Sequence, residues 1–82
     1  MEKNNETRCE IYVKIPTTEE VALFSRFALL VDGIVDVVKG RYCVDGKSIL
    51  GLLSLDLSTG AKVIYPKEAT EFAEFLHNYK VG

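Results

Sequence analysis

The period of the apolar residues switches repeatedly between two and about 3.6 along this chain, and that alternation limits what it can fold into more than any other feature. Residues 9–15 read Cys-Glu-Ile-Tyr-Val-Lys-Ile. Cys9, Ile11, Val13 and Ile15 share one face, and Glu10, Tyr12 and Lys14 the other, which is the pattern of a half-buried strand ended by Pro16. Thr17-Thr-Glu-Glu20 then reads as a capping box, with Thr17 as the cap and Glu20 three residues on. Val21, Phe24, Phe27, Ala28 and Val31 follow at helical spacing, so a first helix is expected to run to about Val31, where Asp32-Gly33 stops it.

Residues 34–38 and 42–44 are short β-branched runs flanking Lys39-Gly-Arg41. They read as a hairpin, with Val35 and Val37 on the same side as Tyr42 and Val44. After the Asp45-Gly46 turn comes Lys47-Ser-Ile-Leu-Gly-Leu-Leu-Ser-Leu55, with Ser48 as a helix cap. At 100° per residue Ile49, Leu50 and Leu53 fall on one side, and Leu52 and Leu55 on another. A helix this short cannot bury both sides against one sheet. One cluster is expected to stay exposed as a docking surface or dimer contact, unless a neighbouring loop covers it. Ser58-Thr-Gly60 turns the chain into a fourth strand, where Ala61, Val63 and Tyr65 alternate with Lys62 and Ile64 up to Pro66. Ala69, Phe72, Ala73, Leu76 and Tyr79 form a final helical stripe, with Glu68, Glu71 and Glu74 outside it. The order is β-α-β-β-α-β-α. Covering one sheet face with the helices gives an α+β open-faced two-layer sandwich. A single domain is expected over 8–82, after a flexible tail over 1–7.

Composition narrows the function classes. Ten basic and twelve acidic residues leave a net charge of −2, so nucleic-acid binding is not expected. No apolar run approaches the ~20 residues of a membrane span, and the N-terminus lacks the apolar core of a signal peptide, so the expected address is the cytoplasm. Cys9 and Cys43 are distant from each other and read as reduced thiols, and the one histidine, His77, cannot complete a zinc site with them. No metal or cofactor is expected. The chain has no glycine-rich phosphate loop or nucleophile elbow, and the carboxylate pairs Asp32/Asp36 and Glu19/Glu20 stand where turns and helix starts use such residues. An enzyme is therefore not expected.

The stretch Lys47-Ser-Ile-Leu-Gly-Leu-Leu-Ser-Leu55 resembles the regulatory-serine motif of HPr, the small phosphocarrier of the bacterial sugar phosphotransferase system. That motif runs K-S-I-M-G-V-M-S-L in many Gram-positive members, and the changes to leucine keep its apolar character. Asp56-Leu-Ser-Thr-Gly-Ala61 resembles the family's turn before the fourth strand, and the element order is the family's. The resemblance covers about residues 8–79. It implies a four-stranded antiparallel sheet with three helices on one face, strands one and three at the edges, and Leu52 and Leu55 turned inward. It would place Cys9 and Cys43 on opposite edges, too far apart for a disulfide, with Cys9 partly buried and Cys43 more exposed. Gly46 stands where many members carry a larger apolar residue, and the loop before the last helix is trimmed to Pro66-Lys67.

Extending the match backwards puts the family's phosphorylatable histidine, from its G-[IL]-H-x-R-P-A signature, on Thr17. The phosphate-steadying arginine falls on Glu19 and the proline on Glu20. A threonine hydroxyl forms a stable ester rather than a transferable phosphoramidate, and Glu19 sets a negative charge where a dianion must sit. At ~4 Å two like charges repel by about 1–4 kcal/mol in wet surroundings. Ordinary phosphocarrier activity is therefore not expected. Catabolite-repression HPr, which keeps the regulatory serine and lacks the histidine, is similar in that respect. By this resemblance the chain would be a regulatory or adaptor protein binding through Lys47, Ile49, Leu50 and Leu53, with Ser48 either its regulatory phosphorylation site or only a helix cap. Its partners would be proteins of the phosphotransferase system or a transcriptional regulator, with an HPr kinase acting on Ser48. Glu19 and Glu20 are expected to face that serine and oppose its phosphate. The alternatives are an HPr-fold domain repurposed to bind a protein or metabolite, and a phosphocarrier with an unusual acceptor. The oligomeric state stays open.

Overall fold

A computed structural model describes residues 7–81. Apart from Thr7, the expected N-terminal tail lies outside the described residues. The elements are β1 (Arg8–Val13), α1 (Thr18–Leu29), β2 (Asp36–Lys39), β3 (Tyr42–Asp45), α2 (Ile49–Ser54), a single 3-10 turn (Leu57–Thr59), β4 (Ala61–Pro66) and α3 (Thr70–His77). The strands form one antiparallel sheet in the order β1-β4-β2-β3, so β1 and β3 are its edges. This is the expected α+β sandwich, with three helices on a four-stranded sheet.

Alternation along each strand decides the layers. Ile11, Val13, Val37, Ala61, Val63 and Tyr65 point inward and are buried, in one core with Phe24, Leu52, Phe72 and Leu76 from the three helices. Glu10, Tyr12, Lys62 and Cys43 lie on the other face, where Arg8 pairs with Asp36 at 3.2 Å and Lys62 with Glu10 at 3.7 Å. Cys9 packs against the core and Cys43 is exposed. Both are free thiols on opposite edges, as the sequence led one to expect.

Three departures have local causes. α1 ends at Leu29 rather than Val31: the Leu30 and Val31 amides turn back to the Phe27 and Ala28 carbonyls, closing the helix with i to i−3 bonds. Beyond α3 the chain lies back along β1. The Lys14 amide donates to the Tyr79 carbonyl at 3.0 Å, the Val81 amide donates to the Tyr12 carbonyl at 3.0 Å, and Val13 bridges Lys80. Gly46 is required sterically, because a Cβ there would lie 2.5 Å from Cγ1 of the fully buried Val35, whose carbonyl accepts the Gly46 amide at 2.7 Å. A larger apolar residue has no room on this path.

Candidate functional site

The entry to α1 is capped as the sequence predicts and then closed further. Thr17 is extended, and its hydroxyl oxygen accepts the Glu20 amide at 3.2 Å. The Glu20 carboxylate does not return to the cap's backbone as in the standard box. Its Oε1 accepts the Thr17 hydroxyl proton at 2.8 Å, and its Oε2 accepts the Tyr79 hydroxyl at 3.0 Å. Burial and this carboxylate push the Tyr79 phenol above its ordinary pKa. Thr17, Glu20 and Tyr79 thus tie the first turn of α1 to the chain after α3.

Beside this entry is an open cleft of about 250 Å³, lined by Pro16, Thr17, Thr18, Leu53, Asp56 and Ser58 among others. Asp56 has a positive φ of 55°, a left-handed conformation that Asp tolerates better than most residues. The Ser58 hydroxyl, donating at 2.6 Å, holds its carboxyl below the usual range, with Lys39 contributing. Lys39 reaches over from β2 and donates from Nζ to the Leu55 carbonyl at 2.9 Å, the Asp56 carbonyl at 2.7 Å and the Thr59 hydroxyl. It fastens the C-terminal end of α2, where a cation suits the helix dipole. The cleft is therefore flanked by the Asp56 carboxylate, and the Lys39 ammonium is occupied with two carbonyls and the Thr59 hydroxyl. His77 is exposed in the last turn of α3 and does not line it.

α2 divides its apolar residues as the 100° argument requires. Leu52 is fully buried and Leu55 nearly so, while Leu50 is 79% exposed and Leu53 43%. Two members of the expected docking set sit differently. Ile49 is half-buried and packs against the core. Lys47 is half-buried, and its ammonium donates to the Val31 carbonyl beyond the end of α1 at 2.9 Å. The exposed apolar surface is instead Leu50 and Leu53, and Leu23, Leu29 and Leu30 of α1 and the segment after it are also exposed.

Ser48 caps α2, its hydroxyl oxygen accepting the Gly51 amide at 3.3 Å. It is exposed. α2 runs against α1, so the Lys47 carbonyl meets Ser25, while Leu53 and Asp56 meet Thr17 and Thr18. The acidic neighbour of Ser48 is Asp45, whose carbonyl accepts the Ser48 amide at 3.0 Å and whose carboxylate accepts the Lys47 amide at 2.9 Å.

Among the described residues no group of three or more His, Cys, Asp or Glu could hold a metal ion, and no helix is long and apolar enough to cross a membrane.

No protein-family model matches this chain, and no curated protein does. Solved structures do. HPr-C-His from Thermoanaerobacter tengcongensis superposes with a TM-score of 0.69 at 26% identity, over 87% of this chain and 91% of that one. The phosphocarrier protein HPr from Bacillus anthracis superposes with a TM-score of 0.67 at 23% identity, over 90% of this chain and 98% of that one. The fold is HPr-like.

Proposed function

We propose that this chain is an HPr-like regulatory or adaptor protein related to the sugar phosphotransferase system, one that binds partners and does not relay phosphoryl groups. The observation that carries this reading is the α1 entry. A phosphocarrier needs a neutral imidazole nitrogen poised over helix-start amides. By the sequence register Thr17 takes that place, and its hydroxyl oxygen is committed to the Glu20 amide and its proton to the Glu20 carboxylate. Asp56 and Glu19 add negative charge around the same opening. The exposed face of α2, led by Leu50 and Leu53, supports a binding role.

Ser48 is the proposed regulatory position. It is exposed and caps the start of a helix. Phosphorylation would break the Gly51 cap bond and place a dianion beside the α2 amides and within reach of Asp45. Incubation with an HPr kinase and ATP, followed by mass spectrometry, is expected to add one phosphate, at Ser48. Loss of that phosphate in Ser48→Ala, with the fold retained, completes the test. An unmodified Ser48 removes the regulatory part of the proposal and leaves Ser48 as a helix cap.

A further inference from the structure

The two edges of the sheet are treated differently. Part of the β1 edge is covered by residues 79–81. The β3 edge is exposed along most of its length: Tyr42 (63%), Cys43 and Asp45 are exposed and Val44 is half-buried. Its backbone bonding follows from the hairpin. Lys39 faces Tyr42 across a two-residue loop, so that pair, and every second pair after it, exchanges hydrogen bonds. The Gly46 amide donating to the Val35 carbonyl fits this alternation. Tyr42 and Val44 therefore spend their backbone groups on β2. The Cys43 amide and carbonyl and the Asp45 amide point outward, with no backbone partner among the described residues. Such an edge is a template for another strand.

The side chains say which strand fits. Cys43 is the midpoint between Arg41 and Asp45. A second copy paired antiparallel about a two-fold axis through Cys43 would set Arg41 opposite Asp45, twice, and Tyr42 opposite Val44. Arg41 is exposed and makes no ion pair or hydrogen bond among the described residues, and Asp45 uses only Oδ1, on the Lys47 amide. The edge is thus complementary to itself in charge. We propose that the free edge of β3 pairs two copies of this chain, antiparallel about Cys43. The paired edges exchange reciprocal Cys43 bonds, and the Arg41 and Asp45 side chains of the two copies meet across the seam. The two Cys43 residues then form a hydrogen-bonded pair with Cα atoms about 5.5 Å apart, inside the range a disulfide spans.

That geometry supplies the readout. In Cys9→Ser protein, diamide can accept the two electrons and two protons released when two Cys43 thiols join. A cross-linked dimer is expected on non-reducing gels, together with a reversible dimer of the reduced protein by sedimentation at about millimolar concentration, the range of a weak interface. Arg41→Asp and Asp45→Arg each replace two attractions by two repulsions. Each should lower the cross-linking yield about tenfold or more, and an equimolar mixture of the two variants should restore it as a heterodimer identified by mass. Circular dichroism confirms that each variant is folded. A reduced protein that stays monomeric overturns the proposal. So do cross-linking yields indifferent to both charge reversals, because random thiol collisions would then account for the disulfide.

Discussion

Replacing Phe24 with alanine should lower the midpoint of thermal unfolding by about 12 °C or more. Phe24 is fully buried at the centre of the α1 face, edge-on to Phe72 with ring centroids 5.4 Å apart and tilted against Phe75 at 6.4 Å. Those rings continue outward through Phe27, stacked on Phe75 at 4.5 Å, and Tyr79, at 5.3 Å from it. Removing a buried aromatic ring costs about 3–5 kcal/mol through lost transfer energy and the cavity left behind. A domain of this size has a total stability of roughly 4–12 kcal/mol. Each kcal/mol is worth about 4–8 °C in Tm at this length, so a drop of at least about 12 °C is expected in a thermal melt. A loss below about 1 kcal/mol would mean that α1 and α3 do not share this core. Because Tyr79 also holds Glu20, the same substitution should loosen the α1 entry.

The largest effect on binding is expected from Leu50→Glu. Leu50 is mostly exposed, so the substitution should change stability by no more than about 0.5 kcal/mol and leave the far-UV spectrum intact. A central apolar anchor in a protein interface contributes 2 kcal/mol or more, and a carboxylate in its place adds a desolvation cost. If this face meets the first enzyme of the phosphotransferase system, as the proposed function has it, capture by that immobilised enzyme should weaken about 30-fold or disappear. Tyr12→Glu, at an exposed position on the sheet face opposite the helices, provides the comparison. Unfolding of the Leu50 variant would place that leucine in the core, and unchanged capture would move the docking surface elsewhere.

How much of this was legible in the sequence differs from residue to residue. Strand alternation placed Ile11, Val13, Val63 and Tyr65 correctly because a period of two leaves no freedom once one face is buried. The division of Leu52 and Leu55 from Leu50 and Leu53 followed from 100° per residue on a helix too short to be covered on both sides. Thr17 and Glu20 announced their cap bond because both partners lie within four residues. What stayed hidden was long-range. Lys39 reads as a turn lysine, yet its ammonium gathers acceptors from residues 55–59. Tyr79 reads as the end of a helical stripe, yet its hydroxyl reaches back 59 positions to Glu20. Phe75 falls outside the i, i+3, i+4, i+7 stripe that begins at Ala69, and is buried because α1 and α3 approach through a wider aromatic arc. The orientation of α2 against α1, which brings the Lys47 carbonyl to Ser25, is a property of the packing and has no local signature.

These contacts bear on one chemical issue, namely what the opening of α1 does when a phosphoryl group is offered to it. The direct measurement is incubation of the purified chain with phosphoenolpyruvate and the first enzyme of the phosphotransferase system, followed by intact-mass analysis at neutral and acid pH. The expected result is an unmodified chain under conditions that fully phosphorylate HPr from Bacillus anthracis. An acid-labile phosphate on this chain, at His77 or at any other residue, would contradict the reading of Thr17, Glu20 and Tyr79 as a closed entry that cannot pass a phosphoryl group on.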